Sequence, residues 1–198
     1  LPIYCVQRDQ KMLAISFDAA WGNEDTQQLI DILGKYNVKA TFFVVGDWVD
    51  KYPESVKALH DAGHEVMNHS NSHAHMSQLS SEAIVADVEA CNDKIEAVTG
   101  VRPTLIRPPY GEYDNNVITS IRSIGMEPIQ WDVDSLDWKN YGVEEMTRQV
   151  VENKNLDNGA IILMHNGTLY TAQALQGIID GLENKGYQFV PVSELILR

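Results

Sequence analysis

Short apolar runs alternate along the whole chain with longer stretches of mixed polarity. Residues 13–17, 40–45, 65–67, 105–106, 128–131, 161–164 and 188–192 are rich in β-branched, aromatic or other apolar residues and read as buried strands. The segments between them carry helical spacing. Residues 25–36 bring Leu29, Ile32 and Leu33 to one face. A second helix opens at Pro53 and stops at Gly63, as the preference for Pro in a first turn and Gly beyond a last one predicts. Ser80-Ser81-Glu82 caps a longer helix with Ile84, Val88, Cys91, Ile95 and Val98 on one side, closed at Gly100. Helices at 115–124, 143–153 and 172–185 complete the series. No repeat, low-complexity tract or Pro/Gly-rich linker interrupts it, so residues 1–198 are expected to form one domain.

Strands alternating with helices imply an α/β fold with a parallel sheet and right-handed crossovers. Polar residues stand just past five of the apolar runs: Asp18, His69, Arg107, Asp132 and His165. An open doubly wound sheet gathers its ligands at one switch point, whereas five decorated strand ends suit a closed or nearly closed barrel. A full eight-unit barrel takes about 250 residues. A chain of 198 is therefore expected to form a distorted (β/α) barrel with fewer than eight complete units.

Composition narrows the partners. No apolar run approaches the ~18 residues of a membrane span. The net charge of -13 sets an acidic field that disfavours nucleic acid and anionic bilayers and leaves a neutral or cationic substrate as the easier partner. Two cysteines, Cys5 and Cys91, are far from a disulfide framework, and unlinked thiols are the expectation. The chain starts at Leu1 and shows no leader of its own, so any targeting segment is expected to lie outside it.

The strongest chemical signal is His69-Ser70-Asn71-Ser72-His73: two imidazoles four residues apart, among polar neighbours, can reach one metal ion. His60 and His64 share that spacing, but Gly63 breaks the helix between them and both read as structural. His75 has no evident partner. Asp18, placed after a buried strand with Arg107 in reach from another strand end, is a candidate general base kept ionised by that cation. The rigid Pro108-Pro109 pair argues that Arg107 is not a plain surface charge. His165 ends an apolar run and would need a carboxylate to hold it, either Asp137 or Asp132.

Taken together, Phe17-Asp18, His69 to His73, Arg107-Pro108-Pro109-Tyr110-Gly111, Asp137-Trp138 and Leu163-Met164-His165 resemble the ordered motifs of the polysaccharide deacetylase family, the NodB-homology or carbohydrate esterase family 4 domain. The match runs from about Lys11 to the end of the chain. The resemblance implies metal-dependent removal of acetyl groups from N-acetylated sugars. By position it implies Asp18 as general base, His165 as general acid, Arg107 orienting the base and Asp137 tuning the acid. It further implies His69 and His73 as metal ligands, the Tyr110 backbone N–H at the oxyanion, and Trp138 and Leu163 around the acetyl methyl. Trp21, Trp138 and Tyr110 offer aromatic faces on which sugars can stack.

One position departs from the family pattern. A second Asp is expected after the base as third metal ligand, and this chain has Ala19. The resulting Phe-Asp-X-X-Trp-Gly motif is similar to that of sporulation-associated bacterial members. Three arrangements stay open: Glu24 or Asp25 substitutes, Asp18 itself binds, or two histidines and water hold the metal weakly. The sequence reading is a deacetylase of peptidoglycan or a chitin-like oligomer, monomeric and extracytoplasmic, using a divalent metal with zinc ahead of cobalt or nickel. Its rival is a non-catalytic glycan-binding module without a complete metal site.

Overall fold

A computed structural model describes residues 1–197 of the chain. Strand β1 (Met12–Ala19) is the longest of the sheet and pairs with three others. It is followed by helix α1 (Thr26–Lys35), β2 (Thr41–Val44), α2 (Gly46–Lys51), α3 (Pro53–Asp61), β3 (Glu65–Asn68) and α4 (Ser81–Thr99). The second half runs β4 (Leu105–Ile106), α5 (Asn115–Ser123), β5 (Glu127–Pro128), β6 (Val133–Asp134), α6 (Val143–Val151), β7 (Ile161–Asn166), α7 (Thr171–Asn184), β8 (Gln188–Phe189) and α8 (Val192–Leu195). The strands stand in the order β5-β4-β3-β2-β1-β7-β6, all in parallel register, and β8 pairs the start of β1. The sheet therefore curls into a distorted (β/α) barrel with a seam between β5 and β6.

Alternation along β1 sorts its side chains. Leu13, Ile15, Phe17 and Ala19 join an outer apolar cluster beneath the helices, where Phe17 stacks on Phe42 with ring centroids 4.8 Å apart. Ala14 joins an inner cluster with Phe43, Met67, Leu105, Ile129 and Ile161. Burying each large side chain of these clusters contributes about 1.5–3 kcal/mol. Helices form where the spacing predicts them: the Ser80 hydroxyl accepts from Ala83 N–H, and Gly100, at φ 76°, ends α4 in the left-handed conformation glycine tolerates.

Three expectations change. The single strand expected at 128–131 is two short strands, because the chain changes neighbours there: Ile129 N–H still donates to Ile106 O, Gln130 N–H turns to Ile3 O, and Asp132 N–H reaches Ile161 O. This stretch closes most of the seam. The last strand ends at Phe189, and residues 192–195 form α8 instead, whose Val192 and Leu195 plug the inner cluster while Val192 N–H donates to Thr41 Oγ1 at 2.8 Å. Helix α2 was not signalled by periodicity. Gly46 opens it because a Cβ there would sit 2.9 Å from the Asn71 carbonyl oxygen, so glycine is what lets α2 press against the histidine loop. Cys5 and Cys91 are unlinked, one exposed and one buried.

Candidate active site

At the carboxyl ends of the strands a cleft of about 470 Å³ is lined by Asp18, Ala20, Trp21, His69, His73, Tyr110, Gly111, Trp131, Asp134, Trp138, Leu163 and His165. Two acid–base pairs meet there, with Asp18 and His165 in its lining and their buried partners Arg107 and Asp137 behind them. Asp18 projects inward near the end of β1, and its Oδ1 accepts from Arg107 Nη1 at 2.9 Å. Arg107 is completely buried; its Nη2 donates to Gln130 O at 3.0 Å, its guanidinium lies 4.3 Å from the Phe43 ring centroid, and its Nε has no partner. Burial alone would raise the Asp18 carboxyl, but the charges around it, with the Arg107 hydrogen bond, outweigh that and hold it below the usual range; His69 adds to this only when protonated, whereas Arg107 is always charged.

His165 stands opposite Asp18 in the β1–β7 register. Its Nδ1–H donates to Asp137 Oδ1 at 2.8 Å, and its backbone N–H donates to Asp137 Oδ2 at 2.6 Å. Thr171 Oγ1 donates to the same Oδ2 at 2.7 Å, which fixes the carboxylate. This leaves Nε2 directed away from Asp137. Burial would lower the imidazole, yet the Asp137 hydrogen bond and charge prevail and raise it. Of the two carboxylates proposed for His165, Asp137 is the partner. Asp132 accepts from Ile161 N–H and lines no part of the cleft.

The two sequence-predicted ligands sit in a tight loop, one of the two placements, helical turn or loop, that their spacing allows. Ser70 and His73 have φ of 74° and 57°, and the loop is pinned by Asn68 Oδ1 accepting from Ser70 N–H and by Ala74 N–H donating to Ser70 Oγ. His69 Nδ1 lies 2.6 Å from the Arg107 carbonyl. A carbonyl only accepts, so Nδ1 carries the proton and Nε2 is free, 3.5 Å from Asp18 Oδ2. The His69 and His73 rings lie 5.0 Å apart. Burial lowers both imidazoles, His73 to about 4, so both stay neutral and able to ligate at neutral pH.

A third protein ligand is missing. Ala19 is fully buried in the outer cluster, on the opposite side of β1 from Asp18. Asp25 cannot take its place as positioned: its Oδ1 accepts from Gly167 N–H at 2.8 Å and Asn166 Nδ2 at 3.0 Å, and burial raises its carboxyl to about 6. Glu24 lies against Gly22, and neither acid lines the cleft. Among the described residues, no group of three His, Cys, Asp or Glu side chains stands where it could hold a metal ion. The side chains present therefore do not fit a complete three-ligand site.

Trp21, Tyr110 and Trp138 form exposed walls, with Leu163 at the base. Tyr110, at φ 64°, is held in the left-handed region, and its ring stacks on His75 at 4.1 Å and meets His73 at 4.5 Å. His75 thus has a partner after all, and its Nδ1 also lies 3.2 Å from Glu112 Oε2. His64 is structural: its Nδ1 accepts from Ala40 N–H at 3.0 Å. Sequence reasoning missed Asp134, which lines the cleft and accepts from Leu136 N–H at 2.9 Å. Alternation two residues beyond Asp132 was the available signal.

The model of the polysaccharide deacetylase family matches residues 6–129. The chain is 36% identical to an uncharacterized protein, YlxY, of Bacillus subtilis, over 98% of this chain and 60% of that one. It is 37% identical to the peptidoglycan-N-acetylmuramic acid deacetylase PdaC of the same organism, over 96% of this chain and 40% of that protein. It therefore spans less than two thirds of the length of these relatives. Among solved structures, the wild-type BA3943 protein of Bacillus anthracis, described as a CE4 family pseudoenzyme, superposes with a TM-score of 0.94 at 36% identity, covering 98% of this chain and 68% of that one. A mutant of it is described as having restored enzymatic activity. On the matched family model, the shared identity and the ordered motifs now seen around one cleft, the chain belongs to the polysaccharide deacetylase family.

Proposed function

We propose that the protein removes acetyl groups from an N-acetylated cell-wall glycan, peptidoglycan or a chitin-like oligomer, outside the cytoplasm. The supporting observation is the juxtaposition of two pre-set pairs, Asp18 with Arg107 and His165 with Asp137, with Asp18 and His165 level on the adjacent strands β1 and β7 in one aromatic-walled cleft. Asp18, kept as a carboxylate by its cationic neighbours, accepts the proton of the attacking water. The Tyr110 backbone N–H donates to the developing oxyanion. His165, protonated at Nδ1 and Nε2, returns a proton from Nε2 to the leaving nitrogen, while Asp137 stabilises the imidazolium. Trp138 and Leu163 surround the acetyl methyl, and Trp21 stacks on the sugar.

The family resemblance implies a divalent metal, zinc ahead of cobalt or nickel, with His69 and His73 as donors. With Ala19 in the third position, two imidazoles are what this chain supplies, and no step above passes through the ion. Two neutral donors without a carboxylate leave such an ion's charge poorly compensated, so it is held weakly. The protein is proposed to act as a monomer on glycan. Among the described residues no helix is long and apolar enough to cross a membrane.

A specific observation favours a second reading, a glycan-binding cleft without turnover: the third ligand position is a buried alanine. Acetate release from chitin oligomers and peptidoglycan, measured with and without added zinc, separates the two. The deacetylase reading expects release that rises with zinc. Glycan binding without release at any zinc concentration would leave the binding module.

A further inference from the structure

The rim of the cleft beside Trp138 carries groups that hydrolysis of one acetamide does not use. The loop after β6 holds Leu136 at φ 54°, Asn140 at φ 56° and Gly142 at φ 107°, so three left-handed residues shape one short segment. Non-glycine residues adopt this conformation at a cost of order 1 kcal/mol or more, and it persists where the surroundings enforce it. The segment is anchored by Leu136 N–H donating to Asp134 Oδ1 and by the buried Asp137 held against His165. What it displays outward is Trp138, Lys139 and Tyr141. The two aromatic residues are 54% and 59% exposed, which is far from the usual placement of such side chains. The Lys139 ammonium stands 5.3 Å from the Trp138 ring centroid and 5.8 Å from that of Tyr141.

The charge of Lys139 is as notable as its place. The chain has 28 acidic and 15 basic residues, so a lysine has a large excess of carboxylates available as partners. Lys139 forms no ion pair among the described residues, and its neighbours are the two rings. Among the described residues, none that lines the cleft is a lysine or arginine, and Arg107 is completely buried and committed to Asp18 and Gln130. Trp138 belongs to the cleft wall, and the Lys139 ammonium lies between its ring and that of Tyr141, next to that wall. Aromatic faces with a cation between them suit a ring with an apolar face and an anionic substituent.

We propose that Trp138, Lys139 and Tyr141 form a subsite for the sugar next to the one whose acetamide enters the cleft, and that Lys139 selects a sugar bearing a carboxylate, such as the lactyl group of muramic acid. This rests on the glycan reading of the cleft and adds which neighbouring unit it takes. Tyr141 supplies the stacking face and Lys139 the charge preference. A solvent-exposed pair of this kind is worth about two- to fivefold in affinity, and it weakens with salt.

The test is calorimetric titration at low and high salt with three probes: chitotetraose, a peptide-free peptidoglycan tetrasaccharide with free lactyl carboxylates, and the methyl ester of that tetrasaccharide. The wild type is expected to bind the anionic tetrasaccharide about two- to fivefold tighter than chitotetraose at low salt, and to lose the preference with the ester or at high salt. Lys139→Gln should lose the same preference and Lys139→Arg keep it, while Tyr141→Ala should weaken all three probes. Thermal melting of each variant confirms that it is folded. Equal wild-type affinities, or a preference that survives Lys139→Gln, would overturn the proposal. Acetate release from chitotetraose is followed in parallel: its absence with the binding preference intact would remove the deacetylase reading and leave the subsite standing. Absence of binding by every probe would remove both.

Discussion

Replacing Ala19 with Asp asks whether the missing carboxylate is what limits this site. Ala19 is completely buried, closes β1, pairs in register with Val44 and Asn166, and shares its apolar cluster with Phe17, Phe42 and Val44. An ionised carboxylate left there without a partner costs about 3–5 kcal/mol. For a chain of this size each kcal/mol moves the melting temperature by about 2–4 °C, so the metal-free variant should melt roughly 10 °C below the parent. The position is also one residue from Asp18 and level with the strand end that leads into His69. A side chain that turns toward the cleft would join His69 and His73 as a two-histidine, one-carboxylate set. Zinc at a hundredfold excess over its dissociation constant adds about 2.7 kcal/mol to folding, so it should recover most of the lost melting temperature in Ala19→Asp and much less in the parent at the same concentration. Melting curves with and without zinc, with calorimetric zinc titration of the parent, Ala19→Asp, Glu24→Ala and Asp25→Ala, give the measurement. A variant that melts like the parent and binds zinc no better would refute both the buried placement of residue 19 and its relevance to the metal.

Other substitutions probe the two buried pairs. Arg107→Ala leaves Asp18 buried with its main cation gone and should cost about 3–5 kcal/mol in urea unfolding; a loss below about 1 kcal/mol would mean the carboxylate is already solvated. His165→Ala should cut turnover by roughly 10² to 10⁴, and a loss below about threefold would assign the proton to another donor. Because Asp137 raises His165, Asp137→Asn should move the alkaline limb of the rate profile to lower pH, and an unmoved limb would place the titrating acid elsewhere. His64 is lowered to about 4 from an ordinary 6.5, chiefly by burial. Between those values the unfolded chain takes up a proton that the folded one refuses, so this group's contribution to stability is lost as pH falls from about 6.5 to about 4, by about 3 kcal/mol in all. His64→Gln should flatten that slope in urea melts read across the window.

The apolar spacing located every helix longer than six residues to within two residues at each end, because those helices bury one face; α4 and α5 also carry side-chain N-caps, Ser80 and Asp114. It failed where an element exists for a reason outside its own segment. Helix α2 depends on glycine fitting against Asn71, the strand near residue 130 breaks because it serves two neighbours, and α8 forms where residues 192–195 fill the floor of the barrel.

The site divides the same way. The candidate groups were legible: Asp18, Arg107 and His165 stand just past short apolar runs, His69 and His73 share a ligand spacing, and the family resemblance marks Asp137. Pairing was not. Asp137 rather than Asp132 holds His165, and Asp25 is turned to Gly167 and Asn166, because those choices depend on which strand lies beside which and on the face each side chain takes. Spacing along a chain sets the side a residue faces within its own strand or helix. Distance to a partner some 30 or 90 residues away is set by the closure of the barrel, and that closure is where Asp18 met Arg107 and His165 met Asp137.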